Sequence, residues 1–529
     1  LFINSNILVK SIFFSLLFLL NFQNINAKNL NFEKEIKIGK NSSYTFEIEL
    51  KKEDYLIANF KADNDFKNFI LKDKKSQIRI LKKQNQKYGT IHTIIPSSGK
   101  YLFEVTTLSE DINFSFKIEK IISKENQLKE EEKVSRPIIS KILQKQKKLL
   151  LKNKDTSNFW KMVKKKGTPL IEKIDSDKYI ITFLYRGAKK NVRLLGSPEH
   201  THPKLARLLN SDIWYISYIV PKNTRLSYQL APDVPNIKGT KREQKVAILA
   251  TLQKDPLNKF LYITNKNSDK YNTSSSIIID DKNTKDYSLE KTKNKGTVKN
   301  YSISSKILKN RRDIDIYTPY NFDKNKEFAL LFVFDGKAYQ SKVPTPTILD
   351  NLIYQKKIKQ TVAIFIDNVV NKRGVELPCN EDFAKFMATE LYPFVIKKLD
   401  KKVKKQNVIL TGSSYGGLAS MYVAFKYPNI FGNVLSQSGS FWWSKKDDKR
   451  TQWLTRQIKK EKTKDIKVYL NAGLFETGFK PIDILESNRN LKNVLKSKKY
   501  KVFYEEFPSG HDYFNWRVRL ANGLIKLLN

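Results

Sequence analysis

The chain has 529 residues, 40% of them apolar and 12% aromatic, so it can build several packed cores and is not a disordered polycation. Its 98 Lys and Arg against 53 Asp and Glu leave a formal charge of +45. Of those basic residues 83 are Lys, spread along the whole length, whereas a nucleic-acid reader concentrates Arg and aromatics on one element. The charge reads as a solvated surface that draws in small anions, and no nucleic acid is expected as a partner. The single cysteine, Cys379, excludes an intramolecular disulfide and any cysteine-built zinc or iron–sulfur site.

In chain order, residues 1–27 read as an export signal. Lys10 precedes an apolar run over 12–20, and a polar stretch ends at Ile25-Asn26-Ala27. About nine apolar residues cannot cross a hydrocarbon layer of roughly 30 Å, so no stable membrane insertion is expected after cleavage. The mature product is expected in the periplasm or outside the cell. Residues 28–124 carry period-2 stretches such as Tyr44-Thr45-Phe46-Glu47-Ile48-Glu49-Leu50, separated by turn-rich segments, which predicts a β-sandwich module. Over 125–155, charged residues around Ile138, Ile142, Leu143, Leu149 and Leu150 predict an amphipathic helical linker. A second β-sandwich is expected over 156–258, with strands near 179–185 and 213–218. The Asn-, Ser-, Lys- and Asp-rich stretch 259–298 reads as a linker or long loop. Residues 299–529 alternate apolar runs at 329–334, 362–366, 408–410, 434–435, 468–470 and 502–507 with helix-length amphipathic segments. That order predicts a mostly parallel sheet covered by helices, with reactive groups at the carboxyl ends of its strands.

At one such end stands Gly412-Ser413-Ser414-Tyr415-Gly416, between an apolar strand and a helix-compatible run. Small residues on either side of a central Ser let the chain turn sharply and hold the hydroxyl clear of the backbone, the nucleophile elbow of α/β-hydrolase domains. Ser414 is therefore the expected nucleophile. A serine hydroxyl needs a base. Of the four histidines, His92 lies in the first module, and His200 and His202 read as loop residues of the second. His511 follows the last predicted strand, where the chain order Ser, acid, His puts the base. Glu476, just past the strand at 468–470, is the expected acid that fixes the imidazole tautomer, with Asp483 and Asp512 as rivals. The oxyanion donors are expected to be the Tyr415 N–H and the N–H of Gly336 or Lys337 after the strand at 329–334.

The string Arg373-Gly374-Val375-Glu376-Leu377-Pro378-Cys379-Asn380, the string Ser436-Gln437-Ser438-Gly439-Ser440-Phe441-Trp442-Trp443, and Gly510-His511-Asp512 with Trp516-Arg517 resemble the enterochelin (enterobactin) esterases. The resemblance runs from about Phe159 to the C-terminus, and its first part looks like the β-sandwich that precedes the hydrolase domain in that family. It implies a serine esterase that cleaves the ester bonds of a cyclic catecholate siderophore, usually as the iron complex. No cofactor and no protein-bound metal are implied, the iron belonging to the substrate. Arg373 matches a family arginine whose charge suits an anionic iron complex. Trp442, Trp443, Trp516 and Arg517 are implied at the substrate, although each indole could equally pack in a core. The export signal and the first β module depart from the common cytoplasmic members; that module looks like those appended to secreted bacterial hydrolases. Two other readings stay open: a feruloyl- or acetyl-type carbohydrate esterase of the same fold, and a periplasmic protein that binds ferric siderophores without turning them over. Oligomeric state is not legible.

Overall fold

In a computed structural model of the chain, the described residues are 32–529 except 83–85, 130–132, 154, 197, 200, 265–267, 282–283, 290 and 479–480. The export-signal reading over 1–27 and the loop reading of His200 lie outside them. The chain divides into two compact units, one ending at Asn126 and the other beginning at Gln127.

The first unit is built by strict alternation. In the strand Gly99–Thr106, Tyr101, Phe103 and Val105 are buried while the residues between them are half-buried. Two four-stranded antiparallel sheets share one core. The strands Glu33–Ile38, Ile112–Ile122, Tyr55–Ala62 and Tyr88–Ile94 form one; Ser43–Leu50, Gly99–Thr106, Asn68–Lys72 and Gln77–Ile80 form the other. Their inward rings interlock, with Phe46 stacked on Phe103 at 5.3 Å and Phe69 edge-on to Phe114 at 5.2 Å.

The second unit begins differently from expectation. The helix Lys141–Lys152, read as a spacer, is capped by the Ser140 hydroxyl and buries Leu143 and Leu150 against Phe159, Leu184, Leu208 and Tyr215. Its apolar stripe needs a partner, and the neighbouring β region supplies one. That region holds two four-stranded sheets. The strands Ala206–Arg207, Ile213–Pro221, Lys178–Arg186 and Leu170–Lys173 form one, and Val192–Leu195, Arg225–Pro232, Ser274–Ile278 and Leu261–Tyr262 form the other. The stretch 259–298 is thus not simply a linker, because it supplies the last two of these strands and the start of the next sheet at Thr297–Ser305. Its composition hid this: Ser274, Ser275 and Ser276 look like turn residues, yet Ser275 is fully buried and its hydroxyl accepts the Asp255 N–H at 2.9 Å.

An eight-stranded mixed sheet carries the rest. Its order is Thr297–Ser305, Asn310–Thr318, Thr361–Ile366, Ala329–Phe334, Val408–Ser413, Asn433–Gln437, Lys467–Gly473 and Lys501–Phe507. The first two strands form an antiparallel hairpin that also meets its neighbour antiparallel, and the other six run parallel to one another. Sequence reasoning missed the hairpin because Arg311, Arg312, Asp313 and Asp315 interrupt it. The strands Ala329–Phe334 and Thr361–Ile366 are apolar almost throughout and buried at every residue because both faces are covered. Leu330, Phe332 and Phe334 pack under the helix Tyr415–Lys426, while Leu331 and Val333 pack with Trp516, Leu520 and Leu524 of the helix Tyr513–Leu528 on the other face. Among the described residues no helix is long and apolar enough to cross a membrane.

Candidate active site

The strand Val408–Ser413 turns directly into the helix Tyr415–Lys426 through Ser414, whose φ of 58° and ψ of −120° few non-glycine residues adopt. The turn is this tight because Gly412 and Gly416 touch: a Cβ on Gly412 would lie 2.9 Å from the Gly416 backbone. The Ser414 N–H is held by the Gln437 carbonyl at 3.0 Å, and its hydroxyl lies 3.2 Å from the Ser440 hydroxyl. Ser440 sits inside the Ser-Gln-Ser-Gly-Ser string, but no pattern in the sequence points to its contact with the nucleophile candidate.

Glu476 and His511 come from the loops after the last two strands of the sheet. These loops are joined by backbone bonds from the Leu474 N–H to the Phe507 carbonyl and from the Phe475 N–H to the Ser509 carbonyl, at 2.8 and 3.1 Å. Gly473 permits that approach, since a Cβ there would meet the Ser509 carbonyl oxygen at 2.3 Å. Glu476 is buried; one carboxylate oxygen accepts the Gly473 N–H at 2.7 Å and the other lies 2.6 Å from His511 Nδ1. The rivals are committed elsewhere. Asp483 caps the helix Ile484–Ser497, and Asp512 accepts hydrogen bonds from the Ser227 hydroxyl and N–H and from the Phe514 N–H. Burial raises the Asp512 carboxyl above its ordinary range, against the pull of those donors. The Arg225 N–H also bonds to the Pro508 carbonyl, so the strand Arg225–Pro232 of the β region grips the His511 loop on both sides. Neither contact was readable from the sequence.

The remaining expected residues divide. The amides of Tyr415 and Gly336 each open a helix, so neither has an intrahelical acceptor. The Lys337 N–H does not share that freedom, because it donates to Asp367 at 2.9 Å, and the Lys337 ammonium also bridges Asp367 and Asp315. Burial pushes the Asp367 carboxyl up to about 6 despite that ammonium. Arg373 is not an uncommitted cation: its guanidinium forms a two-pronged pair with buried Asp335 at 2.6 and 2.8 Å. Trp516 is no stacking platform for a ligand, being buried with its indole N–H on the Ser438 hydroxyl at 2.9 Å and its ring edge-on to His511 at 4.7 Å. It belongs instead to the support of the site, since the Gln437 amide donates to its carbonyl and the Tyr339 hydroxyl donates to the Gln437 amide oxygen. Arg517 pairs with Asp286 at 3.3 Å and lies over the Phe514 ring. Trp443 packs edge-on to Trp453 beside the core, while half-buried Trp442 lies 6.1 Å from the Tyr415 ring, next to the elbow.

Glu476 and His511 open onto a cavity of roughly 330 Å³ whose other wall is the β region, through Glu199, His202, Ser227 and Gln229. Among the described residues no group of His, Cys, Asp and Glu is arranged to hold a metal ion.

Comparison with known proteins matches residues 180–282 to a family model described as "Enterochelin esterase, N-terminal" and residues 305–527 to one described as "Putative esterase". The iron(III) enterobactin esterase of Escherichia coli O6:H1 is 31% identical over 42% of this chain and 55% of its own length, so the chain spans about half of that relative. The iron(III) enterobactin esterase of Dickeya dadantii is 26% identical over 70% of this chain and 92% of its own. Among solved structures, the enterobactin esterase of Shigella flexneri crystallised in the presence of enterobactin superposes with a TM-score of 0.56 at 25% identity, covering 70% of this chain and 97% of that one.

Proposed function

Since the chain belongs to the enterochelin esterase family, we propose that it is a serine esterase hydrolysing the ester bonds of a catecholate siderophore, as the ferric complex or iron-free, and so frees iron. The observation that carries this reading is the 2.6 Å contact between His511 Nδ1 and buried Glu476, alongside a serine held in the strained elbow conformation.

In this mechanism His511 takes the Ser414 proton as the hydroxyl attacks an ester carbonyl. The proton then passes to the leaving hydroxyl, and the acyl-enzyme is cleaved by a water that His511 deprotonates. Glu476 accepts the Nδ1–H, which keeps Nε2 as the basic nitrogen and stabilises the imidazolium. The Tyr415 and Gly336 amides stabilise the tetrahedral oxyanion. Ser440 orients the resting hydroxyl, and Trp442 contacts a catechol ring. The Arg373–Asp335 pair is assigned to holding the oxyanion loop, not to the iron complex. We read each pair of facing sheets as a β-sandwich, the first an appended module, and we place the reaction outside the cytoplasm on the strength of residues 1–27 alone.

The test is incubation of the purified protein and its Ser414→Ala variant with ferric and iron-free enterochelin, followed by mass spectrometry. Linear fragments ending in dihydroxybenzoylserine are expected from the wild type and not from the variant. An intact cyclic triester after incubation with the wild type overturns the reading.

A further inference from the structure

Beside the cavity onto which Glu476 and His511 open lies a second one, of roughly 310 Å³, within the β region of the second unit. Arg193, Lys241 and Lys245 line it together with Thr201, His202 and Asn236, and its described lining contains no carboxylate. The cavity beside His511 is the opposite, with Glu199, Glu476 and Asp512 in its walls. The two adjoin. His202 lines both, and Arg193 and Leu195, two apart on one face of the strand Val192–Leu195 and so about 7 Å apart, line one each. Lys241 and Lys245 stand four residues apart on one face of the short helix Lys241–Val246 and are solvent-exposed.

We infer that this second cavity is an anion subsite for the iron–catecholate head of the substrate, while the neutral ester linkage enters the carboxylate-lined cavity beside His511. The inference rests on the siderophore reading above. Three doubly deprotonated catechols around one ferric ion carry a net charge of −3, which the exposed Lys241 and Lys245 ammonium groups oppose. The carboxylates of the cavity beside His511 repel that head, whereas an uncharged ester meets no such barrier. The polarity of the two cavities thus sets the direction in which the substrate lies across His202, and it favours the ferric complex over the uncharged iron-free ligand.

The experiment measures binding by tryptophan quenching in the Ser414→Ala protein, where no turnover interferes, with ferric enterochelin and iron-free enterochelin as probes. Adding Lys241→Gln and Lys245→Gln is expected to weaken ferric binding about five- to tenfold at low salt and to shrink the ferric preference. Lys241→Arg with Lys245→Arg restores it. Lys401→Gln with Lys402→Gln, an equal loss of charge before the amino end of the strand Val408–Ser413, leaves the affinity within twofold. A ferric affinity unchanged by the Lys241 and Lys245 changes, or weakened equally by the Lys401 and Lys402 control, overturns the subsite. If the wild type forms no product yet ferric binding still depends on Lys241 and Lys245, the hydrolytic reading fails and the subsite stands.

Discussion

The cores of the two units differ in what they bury. In the first unit the interior is aliphatic and aromatic almost throughout, and its buried polar side chains, Asp54, Lys82, Thr93 and Thr107, sit where strands end or meet turns. In the second unit the carboxyl end of the large sheet buries Asp335, Gln437, Ser438, Ser440, Asn471, Glu476, Asn488 and Ser509 close together. Burying a polar group costs free energy unless a partner is in place. Much of that cost is met: Gln437 is bonded to Tyr339 and Trp516, Ser438 to Trp516, the Asn488 amide N–H to the Gly439 carbonyl, and Glu476 to Gly473 and His511, whereas the Asn471 side-chain amide, the Asn488 Oδ1 and the Ser509 hydroxyl find no hydrogen-bond partner among the described residues. A core that only has to stand can be made of Phe and Ile, whereas one that presents a site carries a buried polar network whose cost is only partly met by hydrogen bonds within the protein.

Glu476→Gln puts this contrast to its hardest test. It keeps the volume and the bond from Gly473 but removes the charge facing His511 Nδ1, and kcat is expected to fall about 10³- to 10⁴-fold with little change in melting temperature. A loss of less than tenfold would mean that the buried carboxylate only holds the loop. In the first unit, Phe103→Ala removes a ring that packs on Phe46 and Phe116 and should cost about 3–5 kcal/mol. Calorimetry should show that cost in one unfolding transition only, with kcat/KM unaltered. A fall in both transitions would show the two cores to be coupled.

The smallest effect is a pH slope. Burial, reinforced by Arg79, lowers the His92 imidazole from 6.5 to about 4, and its Nδ1 lies 2.8 Å from the Tyr55 hydroxyl. Because the folded form holds this ring neutral, its contribution to stability is complete above pH 6.5 and is lost as pH falls towards 4. His92→Gln should flatten that slope in the first unit's transition and leave the other unchanged. An unaltered slope would assign the acid sensitivity to another group.

Much of this architecture was legible because burial writes itself into period and run length. The alternation at Tyr101, Phe103 and Val105 and the unbroken apolar run Ala329–Phe334 each name a strand and its surroundings. The strands Ser274–Ile278 and Asn310–Thr318 were not legible, since serines bonded to backbone and charges on the second strand of a sheet mimic loop composition. At the site, Ser414, Glu476 and His511 stand out by residue type and chain order, so the pairing of Glu476 with His511, 35 positions apart, is legible in the sequence.

Sequence by itself determined the strand-to-helix elbow, the succession of β regions and parallel sheet, and the types of group available for chemistry, because these depend on neighbours a few residues away. Only the tertiary structure decided which charges are already spent. Arg373 is paired with Asp335, the Lys337 amide with Asp367, and Asp512 with Ser227 across 285 residues of chain. A hydrogen bond is satisfied by whatever lies within about 3 Å in space, and one-dimensional order carries no record of that distance.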